Sequence, residues 1–241
     1  MDILTSKEEA VGFISLNRTQ QRNAISQSMW QQLPKTIETL VAGGAKVVVL
    51  SGSGGVFSAG ADLSELQSIR DEEDARSQWL SIYQALNSIA AMPVPLIAKI
   101  DGPCMGGGCL LALACDLRYC TTTSIFAIPV AQLGIVLDED NVQRLVSVVG
   151  TAYAREILFR ADVFDAARAE RIGLVNGIFS DLDGEVLQIA NGISTLSAQS
   201  VAASKGAILK VGDAGNWGSQ NQKQAIESYI SEDFKERMTK R

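Results

Sequence analysis

Apolar positions in the first two-thirds of the chain alternate between short β-branched runs and longer stretches at helical spacing. Val11–Leu16 (VGFISL) reads as a strand. Ser26 can cap a helix that runs to residue 41, with Met29, Leu33, Ile37 and Leu40 on one stripe. Residues 45–50 (AKVVVL) form a short strand buried on both faces, and a glycine- and serine-rich stretch leads from it to Asp62. Ser64 is placed to cap a long helix reaching about residue 92, where Pro93 and Pro95 interrupt the chain. Leu96–Ile100 is the next apolar strand, and Gly106, Gly107 and Gly108 open a core helix (CLLALACD). Strand signals recur at Leu117–Cys120 and at residues 124–127. Beyond Asp138 the pattern is helical to the end, apart from a strand-like run at 174–179 (LVNGIF). Strands alternating with helices predict an α/β core. The mostly helical last third would have an apolar face needing a partner, so oligomerisation is expected.

Composition narrows the chemistry. The chain has 241 residues, 46% hydrophobic and 20% charged, which fits a folded globular protein and argues against disorder. It contains no histidine, which removes Ser-His-Asp and Cys-His nucleophile systems and histidine-based metal sites, so no metal is expected. Acid–base work must fall to carboxylates, Lys, Tyr, Cys or water. A net charge of −6 disfavours nucleic acid as a partner, because phosphate binding needs a surplus of Lys and Arg. Cys104, Cys109, Cys115 and Cys120 lack metal-site spacing and read as small buried thiols in a reducing cytoplasm. The first ten residues are polar and acidic rather than signal-like, and no apolar run approaches the roughly 20 residues that span a membrane.

Two glycine segments carry candidate chemistry. Gly52, Gly54 and Gly55 follow a strand, but a dinucleotide fingerprint would need glycine where Phe57 stands, and no phosphate-loop G-K-[ST] exists. The segment FSAGADL, residues 57–63, is either an ordinary loop whose Asp62 bonds local amides or a backbone that a ligand approaches closely. Residues 102–109 (GPCMGGGC) place three glycines before an apolar helix. That arrangement either packs a helix tightly on a sheet or exposes N–H groups at the positive end of a helix dipole, where an oxyanion would sit.

Together these segments resemble the crotonase superfamily, the enoyl-CoA hydratase/isomerase family, whose F-x-A-G-A-D-L and G-x-x-x-G-G-G motifs form two halves of a thioester oxyanion hole. Further matches lie at Asn17-Arg18 and Arg22-Asn23-Ala24, at Asp116, at Gln143-Arg144-Leu145 with Gly150, at residues 166–175 (AARAERIGLV), and at Ser204-Lys205. The resemblance implies an α/β spiral of ββα units with a helical C-terminal region used for trimerisation. The division it suggests is a core with the acyl-CoA site over residues 1–185 and an oligomerisation region over 186–241. It also implies that the backbone N–H groups of Ala61 and Gly107 grip the thioester oxygen of an enolate. Arg22, Ala24, Ala59, Asp62 and Leu63 would border CoA, with Arg18 and Arg22 supplying a local positive field. No cofactor is implied beyond the CoA moiety of the substrate, which is an acyl-CoA or an acyl-carrier thioester. The expected assembly is a homotrimer or a dimer of trimers, with no membrane partner.

The departures from the family pattern bear on mechanism. The two water-activating glutamates of hydratases would fall at Leu110 and Val130, which are expected to contact the substrate instead, and neither side chain moves a proton. Two-glutamate hydration is therefore not expected. Asp138 stands four residues past Gly134. This resembles the catalytic Asp of dienoyl-CoA isomerases and chlorobenzoyl-CoA dehalogenases, although the former also want a second acid at the Val130 step and the latter need a histidine, and a tryptophan at that same step. Asp138 is the candidate base, with helix capping as its ordinary alternative. Glu139 and Asp140 are close enough for the register to slip. Glu65, Trp79 and Tyr83 are candidates for lining the pocket, with solvation or core packing as the plain reading. The run at 231–237 resembles the start of the family's tail but is followed by only four residues, so a CoA contact made there would be missing. The leading expectation is double-bond isomerisation through a stabilised enolate. The rivals are decarboxylation and a non-catalytic acyl-CoA-binding role.

Overall fold

The computed structural model describes residues 1–210. A hairpin of β1 (Ile3–Glu8) and β2 (Val11–Leu16) opens a six-stranded sheet, continued by β3 (Val47–Gly52), β4 (Leu96–Ile100), β6 (Leu117–Cys120) and β9 (Gly177–Ile178). Only the hairpin is antiparallel; every later pairing in this sheet is parallel. A second sheet of β5 (Pro103–Met105), β7 (Ile125–Ala127) and β8 (Phe164–Asp165) stands beside it. The strand β1 escaped the sequence reading because it is an edge strand burying a single residue, Ile3, while Lys7 and Glu8 keep its outer end charged.

Both faces of the main sheet are covered, as expected of parallel strands. Alternation along β3 sends Val48 and Leu50 to one face and Val47 and Val49 to the other. The first face packs against Met29, Trp30, Leu33 and Ile37 of α1 (Gln27–Ala42), whose N-cap Ser26 accepts a hydrogen bond from Met29 N. The second is covered by Leu182, Val186 and Ala190 of α7 (Leu182–Ser194). The boundary expected between residues 185 and 186 thus falls inside a helix that belongs to the core.

The long helix expected from Ser64 is two helices. Asp62, not Ser64, caps α2 (Leu63–Gln67) by accepting from Ser64 N, and Asp71 caps α3 (Glu72–Ala90) by accepting from Asp74 N. Three acids in the first turn of α3 favour a fresh start there. The core helix α4 (Gly107–Ala114) begins at the glycines, and α5 (Glu139–Arg160) is kinked at Gly150, whose φ of 75° and ψ of 163° are not helical. The short α6 (Ala166–Arg171) follows, and α8 (Ala198–Lys210) ends the described chain.

Two residues of the family resemblance meet at that end. Lys205 on α8 donates to Asp116 Oδ2 at 2.8 Å and to Val94 O at 3.0 Å, while the same carboxylate oxygen accepts from Leu96 N. The tail motif at 231–237 lies outside the described residues. All four cysteines are free and buried. Among the described residues no helix is long and apolar enough to cross a membrane.

Candidate active site

The two glycine segments come together through backbone pairing. Ile25 N donates to Gly60 O at 2.7 Å, Asp62 N to Ile25 O at 3.1 Å, and Ala59 N to Arg22 O at 2.9 Å, so the 22–25 and 59–62 stretches form a miniature parallel ladder. A second bridge, Ser58 with Cys104, attaches this ladder to β5. Asn23 organises the corner. It is wholly buried, sits at φ 55° where asparagine is tolerated, accepts from Arg18 N and donates to Ser53 O and Val56 O. The hydroxyl of Ser58 donates to Asn23 O and accepts from Gly60 N.

This pairing brings the amides of Ala61 and Gly107 to one small space. A methyl group placed on Gly107 would stand 3.1 Å from Ala61 N and 3.2 Å from Trp30 Cζ2. One placed on Gly60, at φ 105°, would stand 2.9 Å from Met105 O and 3.2 Å from Gly107 N. Gly60 is held to glycine by its positive φ and this close approach, and a side chain at Gly107 would crowd the gap between the amides. Among the described residues, neither amide donates a hydrogen bond. The cap of α4, Gly106, has φ 49° and ψ −116° and offers no side-chain acceptor, so the helix presents its first N–H groups unpaired. Gly108 packs on Ser58, where a methyl would come within 2.8 Å of its Cβ. The arrangement can hold one anionic oxygen by two main-chain donors at the positive end of a helix.

The expected CoA-bordering residues share this edge but differ in availability. Arg22, Ala59 and Leu63 are exposed, and Ala24 is half-buried. The Asp62 carboxylate is engaged inward, accepting from Ser64 N and its hydroxyl on one oxygen and from Arg18 at 2.8 Å on the other. The Ser64 hydroxyl, with Arg18, holds Asp62 below the usual carboxylate range against the opposing effect of burial. Arg18 also donates to Ala24 O and lies 3.7 Å from Asp2. Its charge is therefore met internally, and the positive field expected of Arg18 and Arg22 together reduces to Arg22.

Leu110 is buried one turn into α4. Val130 is half-buried at the start of a 3-10 turn, Val130–Leu133, and follows Pro129, whose Cδ is 4.0 Å from a methyl on Gly106. Gly106 N donates to Ala127 O at 2.8 Å, which ties that stretch to the glycine helix. Leu137 packs against the core cluster that contains Leu110, and Asp138 follows it at the N-terminus of α5, which packs on α4. Asp138 is the N-cap: its Oδ1 accepts from Asn141 N at 3.0 Å and its Oδ2 from Asn141 Nδ2 at 2.7 Å.

Three further residues take up specific places. Glu65 accepts from Gln27 N at 2.7 Å and so secures the start of α1. Trp79, 46% exposed, stacks on Tyr83 with ring centroids 4.8 Å apart. Asp140 draws the hydroxyl of Tyr83, an interaction that pushes Tyr83 up, while Asn87 and Tyr83 hold Asp140 below its ordinary value. Two features had no sequence signal. Trp30 is wholly buried beside Gly107 with an indole N–H that finds no acceptor among the described residues. A polar cluster also joins Tyr83 and Asn87 of α3 to Asp140, Asn141 and Arg144 of α5.

Comparison with known proteins accords with this geometry. Residues 6–240 match the enoyl-CoA hydratase/isomerase family. The chain belongs to that family. It is 35% identical over 223 residues to a peroxisomal Delta(3,5)-Delta(2,4)-dienoyl-CoA isomerase of Arabidopsis thaliana, covering 86% of this chain and 80% of that protein. To the mitochondrial Delta(3,5)-Delta(2,4)-dienoyl-CoA isomerase of Mus musculus it is 35% identical over 217 residues, covering 84% and 66% respectively. A solved enoyl-CoA hydratase/carnithine racemase from Magnetospirillum magneticum superposes with a TM-score of 0.94 at 30% identity, covering 99% of this chain and 91% of that one. The family's α/β fold, with its mixed sheet, is the fold described above.

Proposed function

We propose that the protein is an acyl-CoA isomerase that moves a carbon–carbon double bond through a stabilised enolate. The supporting observation is the pair of amides, Ala61 and Gly107, that meet from distant parts of the chain and are unpaired among the described residues. In this reading they donate to the thioester carbonyl oxygen as it gains negative charge, with the edge formed by Arg22, Ala24, Ala59, Asp62 and Leu63 receiving the CoA. Each such donor contributes about 3–4 kcal/mol to the transition state.

Asp138 takes a proton from the acyl chain and returns it at another carbon. Capping does not prevent this: two ionised oxygens offer about four acceptor positions, and Asn141 occupies one on each. Leu110 and Val130 keep the surroundings apolar and supply no carboxylate, so two-carboxylate hydration has no support here. The names of the dienoyl-CoA isomerase relatives are in keeping with double-bond migration.

The test is deuterium exchange at the α-carbon across a panel of saturated, 3-enoyl and 3,5-dienoyl-CoA thioesters in D2O. Exchange and bond migration on unsaturated members, both abolished in Asp138→Asn with thioester binding retained, are the expected results. Activity confined to malonyl-type thioesters and surviving Asp138→Asn would replace isomerisation by decarboxylation. CoA binding without exchange on any thioester would remove the catalytic reading.

A further inference from the structure

We propose that Asn141 and Arg144 are positioning residues that fix the Asp138 carboxylate for proton transfer, a proposal that rests on the reading of Asp138 as the base. A simple N-cap needs one hydrogen bond, from a main-chain N–H of the first turn to a side-chain oxygen. Asp138 has that bond, from Asn141 N, and a second at 2.7 Å from the Asn141 side chain. Asn141 is only 2% exposed, an uncommon place for an amide. Its Oδ1 accepts from Arg144 at 2.8 Å. Another guanidinium nitrogen of Arg144 donates to Asn87 Oδ1, and Asn87 Nδ2 donates to Asp140 Oδ2 at 2.9 Å, which Tyr83 also engages.

The direction of every bond in this chain follows from Arg144. A guanidinium can only donate. Asn141 must therefore turn its oxygen to Arg144 and its NH2 to Asp138, and Asn87 must do the same towards Asp140. One half-buried cation thus orients two amides, and each amide delivers a donor to a carboxylate. The charged and titratable groups facing Asp138 are Arg144 on its own helix and Tyr83 on α3, with Glu139 exposed beside it. Both Asp138 oxygens are pinned, and the lone pair left on each points in a direction set by Asn141. A carboxylate that only capped α5 would gain little from an Asn141 amide that Arg144 holds in place.

The proposal is tested on the full chain with trans-3-hexenoyl-CoA, reading kcat and KM for α-proton exchange and the thermal midpoint of each variant. Arg144→Met and Asn141→Leu should lower kcat at least tenfold with KM within about twofold. Arg144→Lys, which keeps the charge and a donor, should recover part of the lost kcat. Should Asn141→Leu fail to fold, Asn141→Ser removes the amide with less disturbance. Adding Arg144→Met to Asp138→Asn should cost nothing further, because the two act through one group. The inference is overturned if kcat stays within twofold of the parent in both single variants, if KM absorbs the loss, or if the double variant loses the full product of the two effects. If Asp138→Asn alone exchanges normally, the base assignment fails first. An inactive Asp138→Asn beside unaffected Arg144 and Asn141 variants sinks only the positioning role. No exchange by the parent on any thioester overturns both.

Discussion

The amide cradle and the capped end of α5 solve different problems with different materials. The cradle is main chain: Ala61 and Gly107 contribute N–H groups whose positions follow from two isolated β-bridges, a helix start and closely packed glycines. The α5 end is side chain: Asp138, Asn141, Arg144 and Asn87 are linked by bonds that a single substitution can cut. Under the proposed function the main-chain element would hold charge and the side-chain element would handle the proton, so the second could vary while the first stays constant. That is consistent with relatives named both hydratase and isomerase sharing one fold.

The contrast can be tested from the strongest effect downwards. Gly60→Ala puts a methyl 2.9 Å from Met105 O and 3.2 Å from Gly107 N at φ 105°. It should cost about 3–4 kcal/mol of transition-state stabilisation, a hundredfold to thousandfold loss in exchange rate, together with ~1–3 kcal/mol of stability by denaturant titration. Asp138→Asn should lower exchange at least about a hundredfold. Asparagine caps helices as well as aspartate, so its denaturation midpoint should stay near the parent's. A matching fall in stability would mean that the loss reflects the cap and not the base.

Alkaline pH should loosen the core around two buried thiols. Burial pushes the Cys115 and Cys120 thiols up to about 12 from an ordinary value of 9.0. Between those limits the unfolded chain releases protons that the folded chain keeps, so stability is intact below pH 9 and falls as pH rises towards 12. The slope is about 1.4 kcal/mol per pH unit for each thiol. Cys115→Ala should remove one such slope in chemical denaturation measured across pH 8–11. Smallest is Gly44→Ala, also at positive φ but with nothing within 4 Å of the added methyl. It should cost ~1 kcal/mol of stability with exchange unchanged, separating left-handed strain from blockage of the cradle.

Residues whose roles depend on main-chain geometry were the most legible in the sequence. The strand at Val11–Leu16, the Ser26 cap, the glycine-initiated core helix and the four buried thiols were all expected from pattern and composition. The break between α2 and α3 was not, because it rests on two aspartate caps, Asp62 and Asp71. Arg18 shows the limit of reading charge from sequence: it looks like part of a positive field until Asp62, 44 positions away, takes it up. The α5 cluster was hidden for the same reason. Asn87 and Arg144 lie 57 residues apart, and a lone asparagine on a helix carries no sign of its partner.

One knot has a bearing on how the chain comes into being. Lys205 reaches Asp116 and Val94 across separations of 89 and 111 residues, and the carboxylate it meets also secures the first amide of β4. During synthesis β4 and β6 emerge well before their cation exists, so the end of the sheet waits, incompletely neutralised, until residue 205 has left the ribosome. The last described helix thus carries the last-made partner of this knot.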